Sequence, residues 1–243
     1  MKPKLYLLSL LSLAFFLSSC GGGKTSTAGG AKTPVAAEKA ESAFDLFPVA
    51  PGNDWTYEVN GRSVSRQAGA QFSTYDLTFK CANVTENGNN KDAEIVVTNK
   101  EGAVIERILF RVTPSEIYLL GYIMEGQKRL HSQPLLLLSW PVKPGHTYTW
   151  KAQGPVNNRG QMGDLSATIT VKGEVETDTS AERLKAYRVD VSMTQTLGGN
   201  THRVQSIYFF APKRGLVRYW DSRLFATGEQ AEVLMRLKSH TIK

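Results

Sequence analysis

Cysteine is nearly missing from this chain: Cys20 and Cys81 are the only two in 243 residues. The Cys-rich spacings of structural zinc sites therefore cannot be written. The four histidines, His131, His146, His202 and His240, stand apart from one another, with no second His or Cys at ligand spacing. No Gly-rich phosphate loop is present, no Gly-x-Ser-x-Gly setting surrounds a serine, and no pair of carboxylates is marked out by its context. No metal or cofactor is expected, and an enzyme is the least supported class. Basic residues exceed acidic ones, 29 to 22, but the densest places, Lys128-Arg129, Arg183-x-Lys185 and Lys213-Arg214, never reach a run of five. A nucleic-acid partner is excluded on that ground, because neutralising many phosphates takes a concentrated basic face. A helical hydrophobic period is also lacking after Phe47.

What is present begins at the first residue. Lys2 and Lys4 form a basic n-region, and Leu5 to Leu17 forms an apolar stretch too short to span a bilayer as a mature helix. Leu17-Ser18-Ser19-Cys20 then places small residues before a cysteine. This arrangement resembles the lipobox of bacterial lipoproteins. The resemblance implies a signal peptide over residues 1–19, cleavage before Cys20, and thioether-linked diacylglycerol on that cysteine, usually with N-acylation by a fatty acid such as palmitate. The other reading is a secreted protein cleaved nearby with a free cysteine. Two or three acyl chains would anchor the protein stably, at about 0.8 kcal/mol per buried CH₂. Gly21 stands where an aspartate would, by resemblance to enteric lipoproteins, hold the protein at the inner membrane, so the outer membrane is expected in a cell with two. The expected partner is thus a membrane, through Cys20. Without Lys2 and Lys4, 27 basic residues face 22 acidic ones, a mild excess compatible with weak attraction to anionic head groups.

Residues 20–43 read as a lipidated tether of Gly, Ser, Thr, Ala and Lys. Its span as a coil would be about 25 to 30 Å. Ala36 to Phe47 contains helix formers, and a short helix is expected there.

From Phe47 one stretch occurs twice. Phe47-Pro48-Val49-Ala50-Pro51-Gly52-Asn53-Asp54-Trp55-Thr56-Tyr57 returns as Trp140-Pro141-Val142-Lys143-Pro144-Gly145-His146-Thr147-Tyr148-Thr149-Trp150. Each Pro-Gly predicts the centre of a type II turn. Trp55 and Tyr57, like Tyr148 and Trp150, are two residues apart, which in a strand places both rings on one face. They are either core aromatics opening a strand or a stacking platform for a ligand.

Strand-like alternation follows each copy. Tyr75, Leu77, Phe79 and Cys81 alternate with Asp76, Thr78 and Lys80. Asn60-Gly61 and Asn87-Gly88 suit hairpin turns. Strands are expected at 93–98, 104–112 and 116–122, with a turn at 99–102 and Pro114 dividing the last two. Leu135-Leu136-Leu137-Leu138 reads as a buried crossover strand. The second half replays this order at 166–171, 186–196 and 202–210, with Gly198-Gly199-Asn200 as a turn, and 232–241 ends the chain as a strand.

The fold class expected is all-β: antiparallel strands in two tandem related units, 44–132 and 133–243, that share one core over 44–243 as a curved sheet, sandwich or half-barrel. The frames Phe-Pro-x-x-x-Gly-x-x-Trp-x-Tyr at 47–57 and Ala-Pro-x-x-Gly-Leu-Val at 211–217 are similar to those of a broad group of uncharacterised bacterial lipoproteins and secreted proteins, a resemblance that carries no activity.

Two stretches rich in Gly, Asn and Arg, 60–71 and 153–164, read as long polar loops, either functional or simply mobile surface. Within them Arg62, Arg66, Asn157, Asn158 and Arg159 are the candidate contacts for a ligand or partner. Cys81, on an apolar face, is either a buried inert thiol or a reactive one. The leading expectation is a lipid-anchored, non-enzymatic envelope module that binds a protein, polymer or surface. The alternative is a carrier or chaperone for an acylated or apolar ligand.

Overall fold

The computed structural model describes residues 39–157 and 159–243. One four-residue helix, α1 (Ala43–Leu46), precedes twelve strands. They are β1 (Asp54–Ser65), β2 (Gly69–Asn87), β3 (Asn90–Asn99), β4 (Val104–Val112), β5 (Glu116–Met124), β6 (Gln127–Ser139), β7 (Thr147–Pro155), β8 (Met162–Asp178), β9 (Arg183–Leu197), β10 (Asn200–Ala211), β11 (Gly215–Leu224) and β12 (Gln230–Thr241). All pairings are antiparallel, in the order β6-β5-β4-β3-β2-β1-β12-β11-β10-β9-β8-β7. The all-β expectation holds, in the form of a nearly closed barrel. The first and last strands are joined by a ladder from Asp54↔Thr241 to Val64↔Gln230.

The remaining seam lies between β6 and β7, and side chains bridge it. The Tyr148 hydroxyl donates to the Leu136 carbonyl. The Trp150 indole donates to the Gln133 and Pro134 carbonyls at 3.2 and 3.1 Å, and the Gln153 N–H donates to Ser132 Oγ at 2.8 Å. The edge carbonyls of β6 are thus satisfied without a strand ladder, which removes an exposed edge. Trp55 and Tyr57 do the same work elsewhere. Pairing of β11 with β12 stops at Arg218↔Arg236, and beyond it Trp55 Nε1 donates to the Arg214 carbonyl at 2.7 Å and the Tyr57 hydroxyl to the Leu216 carbonyl at 2.6 Å. Both pairs are core aromatics whose polar tips close gaps in the hydrogen-bonding network.

The two Pro-Gly stretches form the expected turns. Asn53 N–H bonds the Ala50 carbonyl and His146 N–H the Lys143 carbonyl, with Gly52 and Gly145 at φ 86° and 83°. Each turn then docks on the second strand after it, through reciprocal backbone bonds with Cys81 of β2 in one case and Val171 of β8 in the other.

Because consecutive strands reverse, five of the eleven connections gather at one end and six at the other. At one end, α1 and Phe47 enter the barrel as a plug. Ala43 N–H bonds the Pro114 carbonyl, and the Asp45 carbonyl accepts from Lys213 N–H. Phe47 packs among Trp55, Phe110 and Phe210 with ring centroids 5.8, 5.0 and 6.1 Å away. The packed region reaches back to Ala40. One hydrophobic cluster runs from Ala40 to Leu237, drawing on every strand from β1 to β12. The outward positions carry charge, as in Arg111–Asp92 at 2.7 Å and Lys185–Glu174 at 2.8 Å, the reverse of a barrel that faces lipid. No helix among the described residues is long and apolar enough to cross a membrane.

Several local expectations are corrected. Asn60-Gly61 is not a hairpin turn but lies inside β1, where Asn60 and Gly61 pair with Thr74 and Ser73 on one side and Leu234 and Val233 on the other; two flanking ladders outweigh the local turn preference. The expected loop 60–71 shrinks to a turn at 66–68, and 153–164 to 156–161. The helix expected from 36 to 47 is confined to Ala43–Leu46, its residues 36–38 lying outside the described ones. The leucine run belongs to β6, a neighbour of β5 in the same sheet, and the crossing to the second half is made by residues 140–146.

Candidate functional site

The end opposite the plug, where the turns 66–68, 100–103, 125–126, 156–161, 198–199 and 225–229 converge, differs from the rest of the barrel both inside and at its rim. Inward positions on β11 run Val217, Tyr219, Asp221, Arg223, so the strand period that buries Val217 also buries two charges near this end. Arg223 and Asp221 are 5% and 2% exposed. Arg223 Nε donates to Asp221 Oδ2 at 2.8 Å. Asp221 Oδ1 accepts from Ser206 Oγ at 2.7 Å and from the Tyr219 hydroxyl at 2.8 Å. A buried carboxylate is thereby fully engaged, as burial requires.

Burial opposes the charge on Arg223, but Asp221 and the neighbouring phenols outweigh it, and the guanidinium is held more firmly protonated than usual. Burial raises Tyr122, on β5, well above the ordinary phenol range, reinforced by the charge of Glu106 on β4. The charges of Asp221 and Arg223 on β11 also act on it.

The network continues to the seam. His131 on β6 lies edge-on to Tyr122 and Trp150, with centroids 5.9 and 5.3 Å apart. Burial lowers its pKa to about 4, the Leu119 backbone opposing this only in part. Its Nδ1 and the Arg129 Nε are buried without a hydrogen-bond partner. Arg129 lies against Gly160, where an added Cβ would stand 3.0 Å from its Nε.

At the rim, five large apolar side chains are strongly exposed: Phe72, Val104, Leu130, Met162 and Leu224, between 38% and 75%. Each belongs to the turn-end portion of its strand, and they are the exposed large hydrophobics among the described residues.

The described candidate residues fall at this end, on opposite sides of the ring. Arg62 points outward from β1 and pairs with Glu232 at 3.3 Å. Arg66 is exposed in the 66–68 turn, its Nη2 3.6 Å from where a Cβ on Gly228 would lie, so the β1–β2 and β11–β12 turns touch. Asn157 is used locally: its Oδ1 accepts from Arg159 N–H at 3.1 Å and Gln161 N–H at 3.2 Å, and its Nδ2 donates to Gln161 Oε1. Arg159 is exposed in the same turn. Asn158 and Cys20 lie outside the described residues, as does the whole leader.

Sequence reasoning missed the Asp221–Arg223 network. The signal was present, because Asp221 and Arg223 continue the same period of two as Val217 and Tyr219. Cys81 is fully buried, its thiol pushed up to about 11 by desolvation, which favours the inert reading.

No family model matches the chain, and no curated protein matches it. Among solved structures, it is similar to a Bacteroides fragilis protein described as exported and of YmcC-like fold, with TM-score 0.47 and 14% identity over 79% of this chain and 98% of that one. A protein described as a lipoprotein from Parabacteroides distasonis gives 0.46 at 14% identity, with the same coverage. The hypothetical lipoprotein YmcC of Escherichia coli gives 0.33 at 12%, over 76% and 85% of the two chains. Likeness at this level assigns no function.

Proposed function

We propose that this protein is a lipid-anchored, non-enzymatic module of the bacterial envelope whose turn end docks a protein partner. The observation that carries the proposal is the grouping of Phe72, Val104, Leu130, Met162 and Leu224 at one rim, interleaved with Arg62, Arg66 and Arg159. Exposed Phe and Met beside Arg is the composition of protein interfaces, and it is not what a solvated barrel end requires. The anchor supports the same orientation. Cys20, the residue the lipobox marks for acylation, precedes a segment that enters the barrel at the plug, so the rim is presented away from the anchoring membrane. Outer-membrane placement rests on Gly21.

The carrier reading is less well supported. At the plugged end the interior is occupied by the protein's own side chains, and at the turn end it carries Asp221, Arg223 and Ser206, a poor lining for an acyl chain.

The test is chemical cross-linking of the full lipidated chain in intact envelopes. The double variant Phe72→Ser, Met162→Ser should lose the cross-linked protein species while staying folded. Undiminished cross-linking would contradict the docking role, and enrichment of polysaccharide or lipid in place of protein would reassign the partner. Labelling with a fatty acid, abolished by Cys20→Ser, tests the anchor separately.

A further inference from the structure

A second charged feature lies on the outer wall, away from the rim. The ladders place Arg188, Phe209, Arg218, Arg236 and Glu58 in one cross-strand row, on β9, β10, β11, β12 and β1. Phe209 faces outward yet is buried, with the Arg218 guanidinium 5.4 Å from its ring centroid. Arg218 and Arg236 are directly opposite partners. Like charges so placed destabilise a strand pair.

The neighbouring carboxylates compensate unevenly. Asp190 holds Arg188 in two bonds of 2.6 and 3.0 Å, and Glu58 stands 3.9 Å from Arg236. Arg218 has no ion pair among the described residues. Its Nη1 donates to Thr177 Oγ1 at 3.4 Å, Asp178 acts on it only at longer range, and its Nε is buried without a hydrogen-bond partner. Burial, then Arg236 and Arg188, pushes its pKa below the ordinary arginine value. A half-buried guanidinium with unused N–H groups, flanked by two more, is complementary to an anion with several acceptor oxygens. Phosphate fits the planar fork of arginine through paired hydrogen bonds.

Two residues further along from Thr177 and Arg236, a cavity of about 270 Å³ opens between the turn 179–182 and β12, lined among others by Thr179, Lys238, Ser239 and His240. Thr179 Oγ1 is engaged within its own turn and Glu182 with Arg214, so Ser239 and Lys238 are the wall groups that would meet a hydroxyl-bearing group attached to the phosphate.

We infer that Arg218, with Arg236 and Arg188, forms a binding site for a phosphate ester of a polyol, the phosphate on the guanidinium row and the polyol in the adjoining cavity. The site is independent of the rim, and the anchor and docking proposals do not bear on it.

Titration calorimetry of the full chain in detergent micelles, at constant ionic strength in chloride, tests this with glycerol 3-phosphate. Saturable binding is expected, weakened by about tenfold or more in Arg218→Met and less in Arg236→Gln. Glycerophosphoglycerol, the diester of a lipid headgroup, forms the second arm. Tighter binding of the diester assigns the site to a headgroup, and tighter binding of the monoester to a soluble or polymer-borne ester. Absence of saturable binding by both would overturn the site, as would equal affinity in Arg218→Met. If that variant fails to fold, Arg236→Gln decides: unchanged affinity there overturns the assignment.

Discussion

At the plugged end Phe47 sits among Trp55, Phe110 and Phe210, and the surrounding inward positions are apolar. At the turn end the same strands turn inward Asp221, Arg223, Ser206 and His131, and leave Phe72, Met162 and Leu130 outside. An ordinary core would be arranged the other way. The plugged end gains stability from apolar burial, whereas the turn end buries polar groups such as Asp221 and Arg223, whose desolvation is offset by ion pairing and hydrogen bonds. The contrast separates residues that make the barrel from those proposed to meet a partner.

Cutting the barrel breaks the comparison altogether and has the largest expected effect. A chain ending at Ser139, or one starting at Trp140, loses the β1–β12 ladder and the β6–β7 seam and should be unfolded or aggregated, whereas the intact chain melts in one cooperative transition. Two separable melting transitions in the intact chain would show that the halves are autonomous. Next come two truncations, one at each end. Phe47→Ala should cost about 3 to 5 kcal/mol by opening a cavity in the plug, and Arg223→Ala a similar amount by leaving the Asp221 carboxylate buried and unpaired. Chemical denaturation measures both.

A change of pH reaches the turn end chiefly through His131, with His202 lowered in the same direction by burial and by Arg223. The folded pKa of His131 lies below the unfolded value, so the unfolded state takes up the proton first. The neutral imidazole's contribution is complete above about pH 6.5 and is lost as pH falls towards about 4. The loss should be on the order of 2 to 3 kcal/mol. His131→Phe should flatten that part of the stability profile, and an unchanged profile would remove the histidine from the account. The smallest effect is at the rim, where Phe72→Ser should alter stability by no more than about 0.5 kcal/mol while weakening partner binding.

Much of the barrel's local grammar was legible. The Pro-Gly turns, the Tyr75 to Cys81 alternation and the Pro114 break are set by residues close in sequence and formed as expected, and the hairpin expected at Asn87-Gly88 formed one residue on, with Gly88-Asn89 as its turn. Asn60-Gly61 misled because its conformation is decided by Thr74 and Leu234, which are distant in the chain. Closure was illegible for the same reason, since the Tyr148 and Trp150 bonds to β6 depend on the curvature of the whole sheet. The candidate arginines lie in stretches that read as long loops and that are mostly strand in the fold. The rim's apolar residues passed unnoticed because Phe72 and Leu130 look like any strand residue until the face they occupy is known.

The division between the ends is tested most directly by a photo-cross-linking residue placed at three positions in living cells: Phe72 and Met162 at the rim, and Asn89 at the plugged end. Protein adducts are expected from the two rim positions and none from Asn89. Adducts from Asn89 with none from Phe72 or Met162 would contradict the account, because the working face would then be the plugged end.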